Sequence, residues 1–275
     1  MINTENYKNE ILELYNQEKN AKEITNILGF RYHQPIYNFF RKYNLEHKER
    51  KYKRKYTLDE NYFKHINTSE KAYILGFICA DGYVAKDRLC ITLSQKDEEI
   101  LHSIKKEIKS NQVLKYVARN NPYTGLLTCH MVELQINSKK FVEPLIKMGL
   151  GNNKTYTLNS GIIKFIPKYL IRDFLRGYFD GDGNVMYGKK YTSGIKYNIN
   201  ICGNEEFLLK TYQEYFPSTN KIYFDKKSKQ TFIWKISSKE KVQQFLHYLY
   251  NNSKIHLKRK YKVYLKSKHA HLKPI

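Results

Sequence analysis

Cysteine is scarce in this chain. Cys79, Cys90, Cys129 and Cys202 lie far apart without a Cys-x-x-Cys pair, which excludes a zinc ribbon or a disulfide framework and fits reduced structural thiols. Long apolar runs are missing too. No stretch approaches the 18 or so residues a spanning helix needs, and the opening "MINTENYKNEILELYNQEKN" lacks a signal-peptide apolar region, so an intracellular protein of cytoplasm or nucleoid, without membrane partners, is expected. Histidines cluster nowhere that would make a metal site. Acidic residues are the last deficit: 26 Asp and Glu face 49 Lys and Arg, leaving +23 spread along the chain rather than in one tail. An excess of that size, with 41% hydrophobic residues to build cores, points to a polyanionic partner, and nucleic acid is the natural one.

Residues 7–45 read as three short helices, with Ile11, Leu14 and Tyr15 on one face, Ile24, Ile27 and Leu28 on a second, and Ile36, Phe39 and Phe40 on a third. Gly29 breaks the last two, which is the spacing of a helix-turn-helix whose final helix enters a major groove. This predicts a small all-α DNA-binding domain over 1–49. The charged segment "EHKERKYKRKYT" has no apolar periodicity and reads as a basic linker, assigned to 50–68.

The remainder reads as one order of elements twice over. "RLCITLSQKDEEILHSIKKEI" pairs with "KYNINICGNEEFLLKTYQEYF", and "LQINSKKFVEPL" with "WKISSKEKVQQFL". Length changes fall in loops, so the expected fold is α+β: two pseudo-twofold-related αββαββα repeats, over 69–152 and 167–275, joined by a linker at 153–166. Each repeat opens with an apolar helix, with Ser69 expected as the first N-cap and Pro167 near the second start. Gly76 with Ala80, and Gly177 with Gly181, lie four apart, where small residues let two helix backbones approach closely. If the helices pack about the twofold, Asp81 and Asp182 arrive side by side. Their repulsion and desolvation call for divalent cations, which also clamp a phosphodiester.

The nine-residue segments "ILGFICADG" and "LRGYFDGDG" resemble the two motifs of the single-chain LAGLIDADG homing endonucleases, and the resemblance extends over roughly residues 58–266. It implies that the motif helices form the interface between the halves. Each half would lay an antiparallel sheet into the DNA major groove, the two forming a saddle. It also implies metal binding by Asp81 and Asp182, with the Ala80 and Gly181 carbonyls as further ligands and Mg2+, or another divalent ion such as Mn2+, as cofactor. Asp180 fits the motif's earlier aspartate, where the first copy has Cys79. In "LSQKDEE", Gln95 and Lys96 fit the polar residues placed around the scissile phosphates, with Lys139 and Lys239 as a further matching catalytic pair. Aligning Leu93 with Ile201 sets Gly203 opposite Gln95 and nothing opposite Lys96, so unequal strand cleavage is expected.

Strand alternation turns Arg88, Thr92 and Ser94 in the first repeat, and Asn198 and Asn200 in the second, toward DNA, with Arg119, Asn120, Tyr187, Lys189, Lys190 and Lys196 contributed by the hairpins. The function expected is a monomeric, metal-dependent, site-specific double-strand DNA endonuclease of the intron-homing kind. The alternative is an RNA-splicing maturase or DNA-binding regulator with the same fold and no cleavage. The ends, Met1 and "HAHLKPI" without a His-Asn terminus, set an intein-borne nuclease behind both.

Overall fold

The structure, a computed structural model, describes residues 3–46, 54–120, 127–151, 158–191, 194–216, 222–225 and 231–269. Contacts divide the chain into two units, Met1–Lys55 and Tyr56–Ile275.

In the smaller unit a 3₁₀ turn leads into α1 (Lys8–Asn16), α2 (Ala21–Ile27) and α3 (Gln34–Lys42). A reciprocal cap starts α2: the Asn20 side chain accepts from Glu23 N at 3.2 Å, and the Glu23 carboxylate accepts from Asn20 N at 2.8 Å. Gly29, at φ +66°, turns the chain out of it. Ile11, Ala21, Ile24, Ile36, Phe39 and Phe40 form the unit's own core. Ile27, expected on an inner face, is exposed.

The larger unit repeats one order of elements. The first copy comprises α4 (Ser69–Asp81), β1 (Gly82–Val84), β2 (Arg88–Ser94), α5 (Glu98–Glu107), β3 (Lys115–Asn120), β4 (Leu127–Asn137) and α6 (Lys139–Lys147). In the second are α7 (Ile171–Asp182), β5 (Gly183–Tyr191), β6 (Gly194–Gly203), α8 (Glu205–Leu208, continuing as a π turn to Gln213), β7 (Tyr223–Phe224), β8 (Phe232–Ile236) and α9 (Lys239–Tyr250), after which comes α10 (Lys258–His269). The sheets run β1-β2-β4-β3 and β5-β6-β8-β7, antiparallel throughout. The architecture is therefore α+β with two αββαββα repeats. One core serves both, and β2 alternates as read, with Leu89, Ile91 and Leu93 turned inward.

Residues 56–68 differ from the linker expected over 50–68. Tyr62, Phe63 and Ile66 are buried in the core of the larger unit, and Thr57 and Asn111 exchange hydrogen bonds at 2.7 and 3.2 Å. Three apolar side chains outweigh the charged composition before them. Thr68, not Ser69, caps α4, its side chain accepting from Lys71 N at 3.2 Å.

The motif helices α4 and α7 pack backbone to backbone. A Cβ built on Gly76 would stand 2.0 Å from the Phe174 carbonyl oxygen, and one on Gly177 would stand 1.9 Å from that of Tyr73. The reciprocity is the pseudo-twofold in local form. No helix among the described residues is long and apolar enough to cross a membrane.

Candidate active site

Each motif helix ends at its aspartate, and Gly82 and Gly183, both in extended conformation, turn the chain directly into β1 and β5. Close packing of the helices then brings the ends together. A Cβ on Gly181 would meet the Ala80 Cβ at 2.3 Å and Asp81 Oδ2 at 2.9 Å, so the first carboxylate lies against the second motif one residue before Asp182. Asp81 is half-buried and Asp182 exposed. Two carboxylates thus stand where two helix C-termini add their partial negative charge, an arrangement that attracts cations.

Behind this pair lies a network that sequence reading missed. Asp180, fully buried, accepts from Tyr73 Oη of α4 at 2.7 Å, from Tyr250 Oη of α9 at 2.5 Å and from Leu257 N at 2.7 Å. It ties the motif helices to each other and fixes the entry to α10. Three residues further on, buried Lys260 donates from Nζ to the carbonyls of Phe179, Asp180 (2.9 Å) and Gly183. One cation therefore satisfies the carbonyls that close α7. The available signal was a stripe: Lys260, Tyr264 and Ser267 recur at i, i+4 and i+7, and all three are buried.

Burial pulls the Lys260 ammonium down to about 8, against the partial support of Asp180, Asp81 and Asp182. Burial also pushes the phenols of Tyr73, Tyr178, Tyr212 and Tyr250 well above their ordinary value. The two effects act oppositely on stability. Between about pH 8 and 10 the unfolded chain holds the Lys260 proton that the native state has released, so this group's destabilisation is relieved as pH rises. Above about pH 10 the unfolded phenols ionise while the native ones stay neutral, and their contribution, fully present below that pH, is lost. Calorimetry should show the melting temperature falling steeply above about pH 10, and Lys260→Met should remove the lysine-linked rise before it.

Gln95 and Lys96 sit in an exposed 3₁₀ turn at the Asp81 end of β2. Gly82 pairs with Ile91 and Gly183 with Ile201, which sets Ile91, not Leu93, against Ile201. The earlier alignment was two residues out, because alternation alone cannot distinguish shifts of two. Gly203 takes the place of Leu93, and the chain enters α8 at its cap Asn204 without a counterpart of the Gln95–Lys96 turn. A cavity of about 150 Å³ lined by Ala80, Tyr178, Asp182, Gly203 and Asn204 lies there.

Lys139 and Lys239 do not join the carboxylates. They begin α6 and α9 beyond Asn137 and Ile236, which pair with Arg88 at the start of β2 and with Ile199 in the middle of β6. Leu134 is level with Gly82 through Ile91, and Trp234 with Gly183 through Ile201, so strand alone carries the chain roughly 10 Å and 7 Å past the motif ends before each lysine's helix begins. Ser138 and Ser238 cap these helices, so the lysines are helix-start surface charges.

On the outer sheet faces, Arg88 and Ser94 are exposed, Thr92 donates to Glu133 at 3.3 Å, and Asn198 and Asn200 are half-buried. Lys189 and Lys196 are exposed and paired across β5 and β6. Tyr187 does not belong with them. Its ring packs on Tyr197 at 5.0 Å on the inner face, and its hydroxyl accepts from Gln243 of α9 at 2.5 Å. The alternation that buries Ile199 turns this tyrosine inward too and leaves it half-buried. The side chains of Arg119, Asn120 and Lys190 lie outside the described part, although their backbones are in strands. Lys115, Glu133 and Gln135 share the outer face of the first sheet, Lys115 reaching Gln135 at 2.7 Å, and were not singled out from the sequence.

Among the described residues no group of three or more His, Cys, Asp or Glu side chains could hold a metal ion. Two carboxylates with nearby main-chain carbonyls nevertheless fit a hard, oxygen-seeking cation that retains waters and takes its remaining ligands from a phosphate.

Residues 170–250 match the family model described as LAGLIDADG-like domain. The chain is 26% identical over 200 residues to the tRNA-splicing ligase RtcB of Methanopyrus kandleri, covering 64% of this chain and 20% of that protein. It is 32% identical over 143 residues to the replication factor C small subunit of Methanocaldococcus jannaschii, covering 47% and 8%. The chain thus spans a fifth or less of the length of these curated relatives. A point mutant of I-SmaMI, a LAGLIDADG homing endonuclease, has a similar fold, with a TM-score of 0.50 at 13% identity over 74% of this chain and 92% of the other.

Proposed function

We propose that this chain, which carries a LAGLIDADG-like domain over residues 170–250 and has the fold of the LAGLIDADG homing endonucleases, is a site-specific double-strand DNA endonuclease. The observation that carries the reading is the placement of the Asp81 carboxylate against Gly181, next to Asp182, at the ends of two helices packed through glycine. The net charge of +23 supplies the sequence-independent attraction to duplex DNA. Curated relatives with unrelated activities, matched over a small fraction of their length, fit a segment carried independently of its host's chemistry. Two acidic helix ends weigh against a maturase or regulator without cleavage.

Asp81 and Asp182, with the carbonyls of Ala80 and Gly181, would hold divalent cations, magnesium first and manganese as a substitute. Such ions polarise a phosphoryl oxygen and make bound water acidic. The remaining tasks fall to the protein. Lys260 and Asp180 fix the end of α7 against α4 and α10, holding the second carboxylate in place. Gln95 and Lys96 order water and offset charge beside one scissile phosphate. Arg88, Thr92, Ser94, Lys189, Lys196, Asn198 and Asn200 would contact bases and phosphates in the groove, and the smaller unit would act as a helix-turn-helix.

Cleavage of a randomised duplex library with magnesium, followed by sequencing of the cut ends, tests the reading. Double-strand ends sharing one sequence and a constant stagger are expected, whereas binding without cutting under magnesium or manganese would overturn it. The missing turn in the second repeat leads to a further expectation. Combined Gln95→Ala and Lys96→Ala should slow one strand's nick far more than the other's, by roughly 2 to 4 kcal/mol, so that nicked DNA accumulates. Equal slowing of both strands would show that these residues do not serve one site.

A further inference from the structure

Helix α3 presents two unlike faces. Ile36, Phe39 and Phe40 enter the core of the smaller unit, while Gln34, Asn38 and Arg41 are exposed at i, i+4 and i+7 along the other side. Gln34 Nε2 donates to Asn38 Oδ1 at 3.2 Å, which presets both amides while each keeps an N–H to donate and an oxygen lone pair to accept. The far end of the helix is anchored separately. Glu5 accepts from Lys42 Nζ at 2.6 Å and from Tyr43 Oη at 2.7 Å. Charge also differs between the helices: α1 and α2 mix Glu10, Glu13 and Glu23 with Lys8 and Lys22, whereas residues 31–45 contain Arg31, Arg41 and Lys42 and no acidic residue.

We infer that this face of α3 is a base-reading site of its own, recognising a short purine-containing block in a DNA major groove. The inference rests on the reading of the chain as a DNA endonuclease. Carboxamides pair in bidentate fashion with the N6 and N7 of adenine, and a guanidinium with the O6 and N7 of guanine. Seven helical residues span about 10 Å, or roughly three base-pair steps, so the three side chains cover about four pairs. The block therefore has adenine opposite Gln34 and Asn38 and guanine opposite Arg41. A protein partner fits this face less well, because its exposed side chains are two amides and a guanidinium, and the neighbouring Tyr37 is packed against the unit's own core.

Selection tests the site with the full chain. It is mixed with a randomised duplex pool without added metal, and the bound fraction is sequenced. Wild type should enrich the sequence it cuts together with a separate block of about four pairs carrying two adenines and a guanine. Combined Gln34→Ala, Asn38→Ala and Arg41→Ala should erase that block alone and weaken binding of the selected duplex by about 100-fold or more. Cutting of the core sequence at saturating protein should stay unchanged. Arg41→Lys keeps the charge and should relax only the guanine, which separates reading from attraction to phosphate. A wild type that enriches its cut sequence without a second block, or a triple variant that keeps the block, overturns the inference and leaves the nuclease reading standing. A chain that enriches no DNA sequence overturns both, and capture of a protein by this face in place of a DNA block overturns the inference.

Discussion

Asp81→Asn is expected to abolish double-strand cutting while leaving target binding within about threefold of wild type, and Asp182→Asn is expected to do the same. Each change removes one negative charge and almost no volume. On the proposed reading the surplus of Lys and Arg drives DNA binding, so one carboxylate fewer favours retention slightly if it acts at all. Cutting depends on the acidic pair itself, since one anion between two helix C-termini attracts a cation far less than two. A loss of at least a thousandfold, about 4 kcal/mol of transition-state stabilisation, is expected from gel assays of both strands at saturating protein. Full cutting by either variant would sink the assignment of these carboxylates. Equal loss of binding would move them from the chemistry to the grip on DNA.

Legibility in the sequence followed the range of the interaction. The two repeats, the motif helices and the inward set of β2 rest on local periodicity, and the structure contains them as read. Asp180 was legible as a motif residue but not as a hub, because its donors come from Tyr73, Tyr250 and Leu257, separated from it by 107, 70 and 77 positions. Lys260 was hidden by composition. In "HLKRKYKVYLKSK" it is one lysine among several, and only the turn of α10 against the end of α7 singles it out. Tyr187 misled for a related reason, since a tyrosine in a basic hairpin suits a DNA surface as well as it suits a partner such as Gln243. Lys139 and Lys239 recur at matching places in the two copies, yet recurrence reports the repeat and not the distance to the carboxylates.

The glycines at the helix interface should carry the largest stability effect in the molecule. At Gly177 a methyl group would lie 1.9 Å from the Tyr73 carbonyl oxygen and 2.9 Å from the Phe77 amide nitrogen, and both are backbone atoms of a buried helix that no rotamer change can move. An ordinary carbon–carbon separation is about 3.5 to 4 Å, so α4 and α7 must part by more than an ångström to admit it. Parting loosens the shared core and strains the hydrogen bond from Tyr73 to Asp180. Gly177→Ala should therefore cost about 3 kcal/mol or more, read as a lower urea midpoint with an unchanged slope. Gly76→Ala should match it, because its methyl would meet the Phe174 carbonyl oxygen at 2.0 Å. Gly151→Ala is the control: its Cβ meets nothing within 4 Å, and the change should stay within about 0.5 kcal/mol. The same separation displaces Asp81 from Asp182, so whatever folded Gly177→Ala protein remains should cut slowly even at temperatures well below its midpoint. A Gly177→Ala variant with the wild-type midpoint and full cutting would mean that the helices do not approach this closely, and the site built on their contact would fall with it.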